Sequence, residues 1–310
     1  MAFFVAYKTK RMKSFITVTL ILFQLSMYAQ NTIMVVGHRG CRGVMPENTI
    51  EGFREAIKRG VDGIEWDVVV NGDGQLVISH EPYFHKDFCQ DPKGNDIQNE
   101  SLYNIYKMSQ AEIEEFDCGS KFHKNFPEQQ KLKTIKPLLK DVVKLVPEIK
   151  RKRIFFEIKS DEPEYGKSQP LPADYAALIL NEVKEYGFSS ICYMSFDKNI
   201  LEELYKIDPK LSLVYLSEKK SIKKNLKQLS FKPSAVGLYF RTLNRRSVSQ
   251  LRKEDIRIYA WTVNQVVDGH KMMDLGIDAI ITDYPRRIIQ SRGSYSSKPK
   301  KFRRTGTPSF

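Results

Sequence analysis

The chain has 310 residues, with 50 Lys/Arg against 37 Asp/Glu and a formal charge of +13. The excess sits at the ends: residues 1–29 hold four Lys/Arg and no acid, residues from Arg286 onward hold eight and no acid, and the body between is left near +1. A short basic tail without aromatics interleaved at stacking spacing argues against nucleic acid as a partner.

Residues 1–29 are expected to form a signal peptide. Lys8, Lys10, Arg11 and Lys13 make a positive start, and an apolar stretch runs from Phe15 to Ala29. It is too short and too interrupted for a stable membrane span. The expected location is secreted or periplasmic; an uncleaved anchor is the alternative.

Thr32–Val36 reads as a short buried strand, with Gly37-His38-Arg39-Gly40 just past its end. Asn48 with Glu51 has the form of a capping box. Ile50, Phe53, Ala56 and Ile57 give one apolar helical stripe, which Gly60 is placed to end. Gly63–Val70, rich in β-branched residues, is the next strand. Strand, helix, strand makes a βαβ unit and calls for a parallel sheet. Residues i and i+2 share a face of a strand, so Glu65 and Asp67 project side by side. Two carboxylates facing an apolar interior are costly. A hard divalent cation, Mg²⁺ or Ca²⁺, would resolve that cost; a solvated strand face is the alternative. Asn71-Gly72-Asp73-Gly74 is a hairpin turn, and the return strand Leu76–Ser79 delivers His80. His38 and His80 thus stand at strand ends beside the acids, suited to proton transfer near neutrality. Arg39 adds a fixed charge suited to phosphate.

His38-Arg39-Gly40, Pro46-Glu47-Asn48-Thr49, Glu65-x-Asp67, Asp73-Gly74 and His80 occur in the order that resembles the signature of glycerophosphodiester phosphodiesterases. The resemblance implies an α/β fold, a TIM (β/α)8 barrel with a small insertion after the second strand's hairpin. One departure is His80-Glu81, where the family usually has His-Asp; the arm is longer and the role of that acid is open. The matching insertion, residues 82–130, is expected over the barrel's C-terminal mouth, shaping the substrate end. It carries His85, His123 and a helix expected over Leu102–Met108. Its Cys89 and Cys118 read either as a disulfide of an oxidising compartment or as part of a Cys/His zinc site, although the spacings match no common zinc pattern.

Beyond the insertion the strand–helix rhythm is regular. On the strand Arg153–Lys159, Glu157 and Lys159 share a face. Glu157 is a natural third acid for a metal at Glu65 and Asp67; a surface Glu–Lys pair is the alternative. The resemblance implies metal binding for Glu157 and phosphate contact for Lys159. A helix is read over Tyr175–Tyr186. Strands at Ile191–Phe196, Leu211–Leu216, Ala235–Phe240, Arg257–Asn264 and Ala279–Asp283 bring the total to eight, enough to close a barrel over residues 30–290. Trp261 falls at a strand's C-terminal end, where barrel sites lie, with core packing as the alternative.

The expectation is therefore metal-dependent hydrolysis of small-molecule glycerophosphodiesters to glycerol 3-phosphate and an alcohol. Glu65, Asp67 and Glu157 would hold one Mg²⁺ or Ca²⁺. Arg39 and Lys159 would grip phosphate, His38 and His80 would share the proton transfers, and Trp261 would pack on the glycerol carbons. The alternative is a lysophospholipid- or sphingomyelin-type phosphodiesterase or lyase on the same barrel, forming a cyclic phosphate. Residues 291–310 are expected to be a basic, disordered tail in weak contact with anionic lipid or polymer.

Overall fold

The structure, a computed structural model, describes residues 33–219 and 222–295. The signal peptide expected at 1–29 and the tail from residue 296 lie outside them. Strands β1 (Met34–Gly37), β2 (Gly63–Val70), β4 (Arg153–Ile158), β5 (Ser190–Ser195), β6 (Leu213–Ser217), β7 (Ala235–Tyr239), β8 (Arg257–Trp261) and β9 (Ala279–Thr282) are parallel. Each pairs with its neighbour in chain order, and β1 pairs with both β9 and β2, so the sheet closes into a barrel. The short β3 (Leu76–Ile78) runs antiparallel to β2, with Val77 opposite Val69, as the hairpin turn anticipates.

The helices are α1 (Ile50–Lys58), α2 (Gln110–Ile113), α3 (Leu139–Leu145), α4 (Pro172–Val183), α5 (Lys198–Ile207), α6 (Ile222–Leu226), α7 (Arg245–Lys253), α8 (Val266–Leu275) and α9 (Pro285–Ser294). Four sequence expectations need correction. The cap of α1 is Thr49, whose Oγ1 accepts the Gly52 N–H at 3.0 Å; Asn48 is drawn elsewhere. The helix expected over Leu102–Met108 is two single 3₁₀ turns, Glu100–Leu102 and Ile105–Lys107. Asn99 and Asn104 each accept the N–H two residues on, a local bond that competes with helix propagation. The helix read over Tyr175–Tyr186 starts earlier, at Pro172, with Pro in its first turn. Residues 291–294, expected to open the tail, complete α9, where Ile288 and Ser291 are buried.

Alternate residues of the strands fill the barrel, among them Val36, Phe155, Met194, Val214, Tyr259 and Ile281. Phe155 and Tyr259 meet edge to face, 5.1 Å between centroids. On the outer face of β2, Trp66 packs against Phe53 of α1 and Phe156 of β4. The insertion has its own core, with Phe84, Phe88, Ile105, Ile113 and Phe116 packed on Val69, Val77 and Leu138 at the barrel. Cys89 and Cys118 are disulfide-bonded inside that core, which removes the zinc reading. Cys41 and Cys192 are free and buried.

Candidate active site

The site begins where β1 turns out of the barrel. A Cβ on Gly37 would lie 2.0 Å from the Gly40 carbonyl oxygen, so only glycine fits that close return. Arg39 within the turn has φ 48°, and Asn48 has φ 57°, both in the left-handed region that non-glycine residues seldom occupy. Each is held there by a buried acid. The Arg39 N–H donates to Glu65 Oε2 at 2.7 Å, and Asn48 Nδ2 donates to Asp67 Oδ2 at 2.9 Å.

The strand register brings in the third acid. Asp67 on β2 lies directly beside Glu157 on β4, and Glu65 shares their face two residues back. One oxygen from each of the three falls within 4.8 Å of the others. Glu65 and Asp67 are almost wholly buried, yet Glu65 Oε1 and Asp67 Oδ1 accept no hydrogen bond among the described residues. Burial, then the charges of Asp67 and Glu157, push the Glu65 carboxyl well above its usual range. Asp67 stays well below its own range against the cost of burial, because Arg39, His80, Lys159 and the Asn48 amide all favour its charge. Two buried carboxylate oxygens that accept no hydrogen bond, beside a third acid, are the donor set of a hard divalent cation, and the residues fit such an ion.

The cations expected on phosphate already touch these acids. Lys159 Nζ lies 2.7 Å from Glu157 Oε1 and 3.7 Å from Asp67 Oδ1. Arg39 Nη1 lies 2.7 Å from Glu47 Oε1, and its Nε 3.2 Å from Asp67 Oδ2.

Both histidines have one ring nitrogen tied to an acid. His38 Nδ1 lies 2.7 Å from Asp283 Oδ1, with Nε2 3.9 Å from Glu65 Oε2. Burial and the Arg42 charge lower the His38 pKa, with Asp283 opposing. Asp283 is held well below the usual carboxylate range despite burial by His38 and Arg42, and it also accepts Asn264 Nδ2 at 2.6 Å. His80 Nδ1 lies 2.7 Å from Glu81 Oε1, so the longer acid reaches the imidazole from the next residue. This pattern fixes ring orientation and leaves the other nitrogen for chemistry.

His38, Arg39, Glu65, His80, Glu157 and Trp261 line one cavity of about 310 Å³ at the C-terminal ends of the strands. Asp67 and Lys159 adjoin it through Glu157. Trp261 stands edge-on to Phe196, 5.5 Å between centroids. Sequence reasoning missed Arg42, Asn48, Glu81, Lys136 and Asp283 as site residues. Asn48 falls in a quoted motif, Asp283 ends the last expected strand, and Glu81 follows His80 with its role left open; Arg42 and Lys136 carried no signal.

The family profile described as glycerophosphoryl diester phosphodiesterase matches residues 38–287. A glycerophosphodiester phosphodiesterase of Bacillus subtilis (strain 168) is 26% identical over 278 residues, covering 87% of this chain and 90% of that protein. A crystal structure from Silicibacter pomeroyi DSS-3, assigned as a glycerophosphoryl diester phosphodiesterase, is 27% identical with a TM-score of 0.76, covering 86% of this chain and 94% of its own. An Oleispira antarctica phosphodiesterase, solved with the product sn-glycerol-3-phosphate, shares the fold at 22% identity and a TM-score of 0.68, covering 84% and 96%.

Proposed function

The chain belongs to the glycerophosphoryl diester phosphodiesterase family, and we propose that it hydrolyses glycerophosphodiesters to glycerol 3-phosphate and an alcohol with the help of one divalent cation. The observation that carries this reading is the convergence of Glu65, Asp67 and Glu157, two of them with buried oxygens that accept no hydrogen bond, beside two carboxylate-oriented histidines. Those three acids would hold Mg²⁺ or Ca²⁺. Such an ion supplies Lewis acidity toward a phosphate oxygen.

The chain's own residues do the rest. Lys159 and Arg39 present positive charge at the phosphate, favouring the charge that grows in the transition state. His38 lines the smaller cavity together with Trp261, whereas His80 lines both that cavity and the larger one next door. That placement suits His38 to take a proton on the glycerol side and His80 to give one to the departing alcohol oxygen. Trp261 offers a flat apolar face to the glycerol carbons. Export belongs to the same proposal: the Cys89–Cys118 bond suits an oxidising compartment, and N-terminal sequencing of the secreted protein would find residues 1–29 removed.

Phosphorus NMR of the products from glycerophosphocholine tests the reaction. Glycerol 3-phosphate is expected, formed directly or through a cyclic phosphate. His38→Ala and His80→Ala should each lose on the order of 100-fold or more in kcat. A cyclic phosphate as the final product, or turnover of lysophospholipids alone, would move the chain to the alternative chemistry.

A further inference from the structure

We propose that the larger cavity is the subsite for the leaving alcohol and that it selects a cationic head group, an amino or quaternary-ammonium alcohol. The inference rests on the diesterase reading above and names the substrate class of that same site.

The cavity measures about 1040 Å³ and lies between the insertion and the loops that follow β4 and β5. His80 and Phe196 line both this cavity and the 310 Å³ one, so the two form one path through the histidine expected to protonate the leaving oxygen. The smaller chamber holds the acids and Trp261 and has room for little beyond a phosphoglycerol. Whatever is esterified to the phosphate must extend past His80.

Tyr83, carried by the insertion, adds a second ring to the larger cavity beside Phe196. Tyr83 shares the cavity wall with Glu100, Asp161, Glu162, Glu164 and Asp197, and burial, then the charges of Glu81, Glu100 and Glu164, raise its hydroxyl pKa. Glu100 and Glu164 are half-buried and fixed, the first accepting the Lys86 N–H at 2.8 Å and the second the Ser168 hydroxyl at 2.6 Å. The three lysines of the wall, Lys86, Lys159 and Lys198, are outnumbered by its five acids. Lys159 sits on Glu157, Lys198 donates to Gln228 and Lys86 is exposed at the rim. An aromatic ring in a wall that also carries half-buried carboxylates attracts an ammonium group. A neutral polyol can hydrogen-bond to these carboxylates but gains no charge attraction from them.

The test uses the purified full chain with divalent cation present, comparing glycerophosphocholine and glycerophosphoethanolamine with uncharged-headed glycerophosphoglycerol. The cationic esters are expected to have kcat/KM roughly tenfold higher, the size of a cation–aromatic contact aided by half-buried acids. Tyr83→Leu and Glu164→Gln should each narrow that ratio by about threefold or more, acting mainly through KM. Binding of choline alone, followed by saturation-transfer NMR, should exceed that of its uncharged dimethylbutanol isostere. Cleavage without preference, or equal losses on all esters in the variants, overturns the proposal, as does equal binding of choline and isostere. If no diester is cleaved but choline is still preferred, the diesterase reading fails and the cationic subsite stands.

Discussion

His80 takes its orientation from Glu81 across a single 2.7 Å hydrogen bond, and Glu81 is itself fixed from below. Ser79 Oγ donates to the Glu81 carbonyl oxygen at 2.6 Å, and buried Lys136 donates to Ser79 Oγ at 2.7 Å. Against the cost of burial, the His80 hydrogen bond and charge, with Lys136 and Arg39, keep the Glu81 carboxyl well below its usual range. Glu81→Gln should therefore lower kcat by about 10–100-fold, the usual cost of losing such an orienting acid, with little change in KM. A KM effect alone would mean that Glu81 only shapes the substrate pocket. Asp283→Asn should act likewise through His38, with a kcat loss on the order of 100-fold. Asn48 shows why single residues were hard to read. The short amide that caps helices is equally able to hold a carboxylate, and only the fold decides that Thr49 caps while Asn48 binds Asp67.

At the scale of elements, the insertion is tied down twice, by its apolar contact with β2 and β3 and by one disulfide. The bond closes a loop of 29 residues. Replacing both cysteines by serine should cost about 3–4 kcal/mol by the chain-entropy estimate, read as a lower midpoint in denaturant titration. Because Tyr83 and Glu100 belong to this segment, the same variant should lose head-group preference before it loses chemistry. The segment was also the least legible. Its asparagines break helix locally and its core is assembled from scattered aromatics, so no period of 2 or 3.6 marks its elements. The barrel strands were legible for the opposite reason: they are short apolar runs bounded by turn residues, recurring with helices between them. The pairing of Glu65 with Asp67 followed from strand geometry alone, whereas the alignment of Asp67 with Glu157 needed the β2–β4 register.

At the scale of the whole molecule, closure of the barrel makes the site. His38 and Asp283 are 245 residues apart and meet only because β1 pairs with β9. No local pattern in the sequence announces that contact. Burial also holds two thiols away from water, Cys192 inside the barrel and Cys41 against the Gly52 carbonyl of α1. Burial pushes Cys192 up to about 12, and Cys41 likewise to about 12, from an ordinary thiol value near 9. A raised pKa means that the native state keeps protons the unfolded chain has released. This contribution to stability is complete below about pH 9 and is lost as pH rises toward 12. Denaturant midpoints should fall over that window, and the fall should shrink in Cys192→Ala relative to its own value at pH 8. A thiol reagent should label neither cysteine in the native protein and both after unfolding.

Chelation is the most direct measurement. Release of glycerol 3-phosphate from glycerophosphocholine would be followed after exhaustive treatment with EDTA, then after adding Mg²⁺ or Ca²⁺, for the wild-type chain and for Glu65→Gln. The three-carboxylate site predicts that turnover is lost on chelation and restored by at least one ion in the wild type, and that neither ion restores Glu65→Gln. Undiminished turnover in EDTA, or a Glu65→Gln chain as active as wild type, would contradict a cation held by Glu65, Asp67 and Glu157.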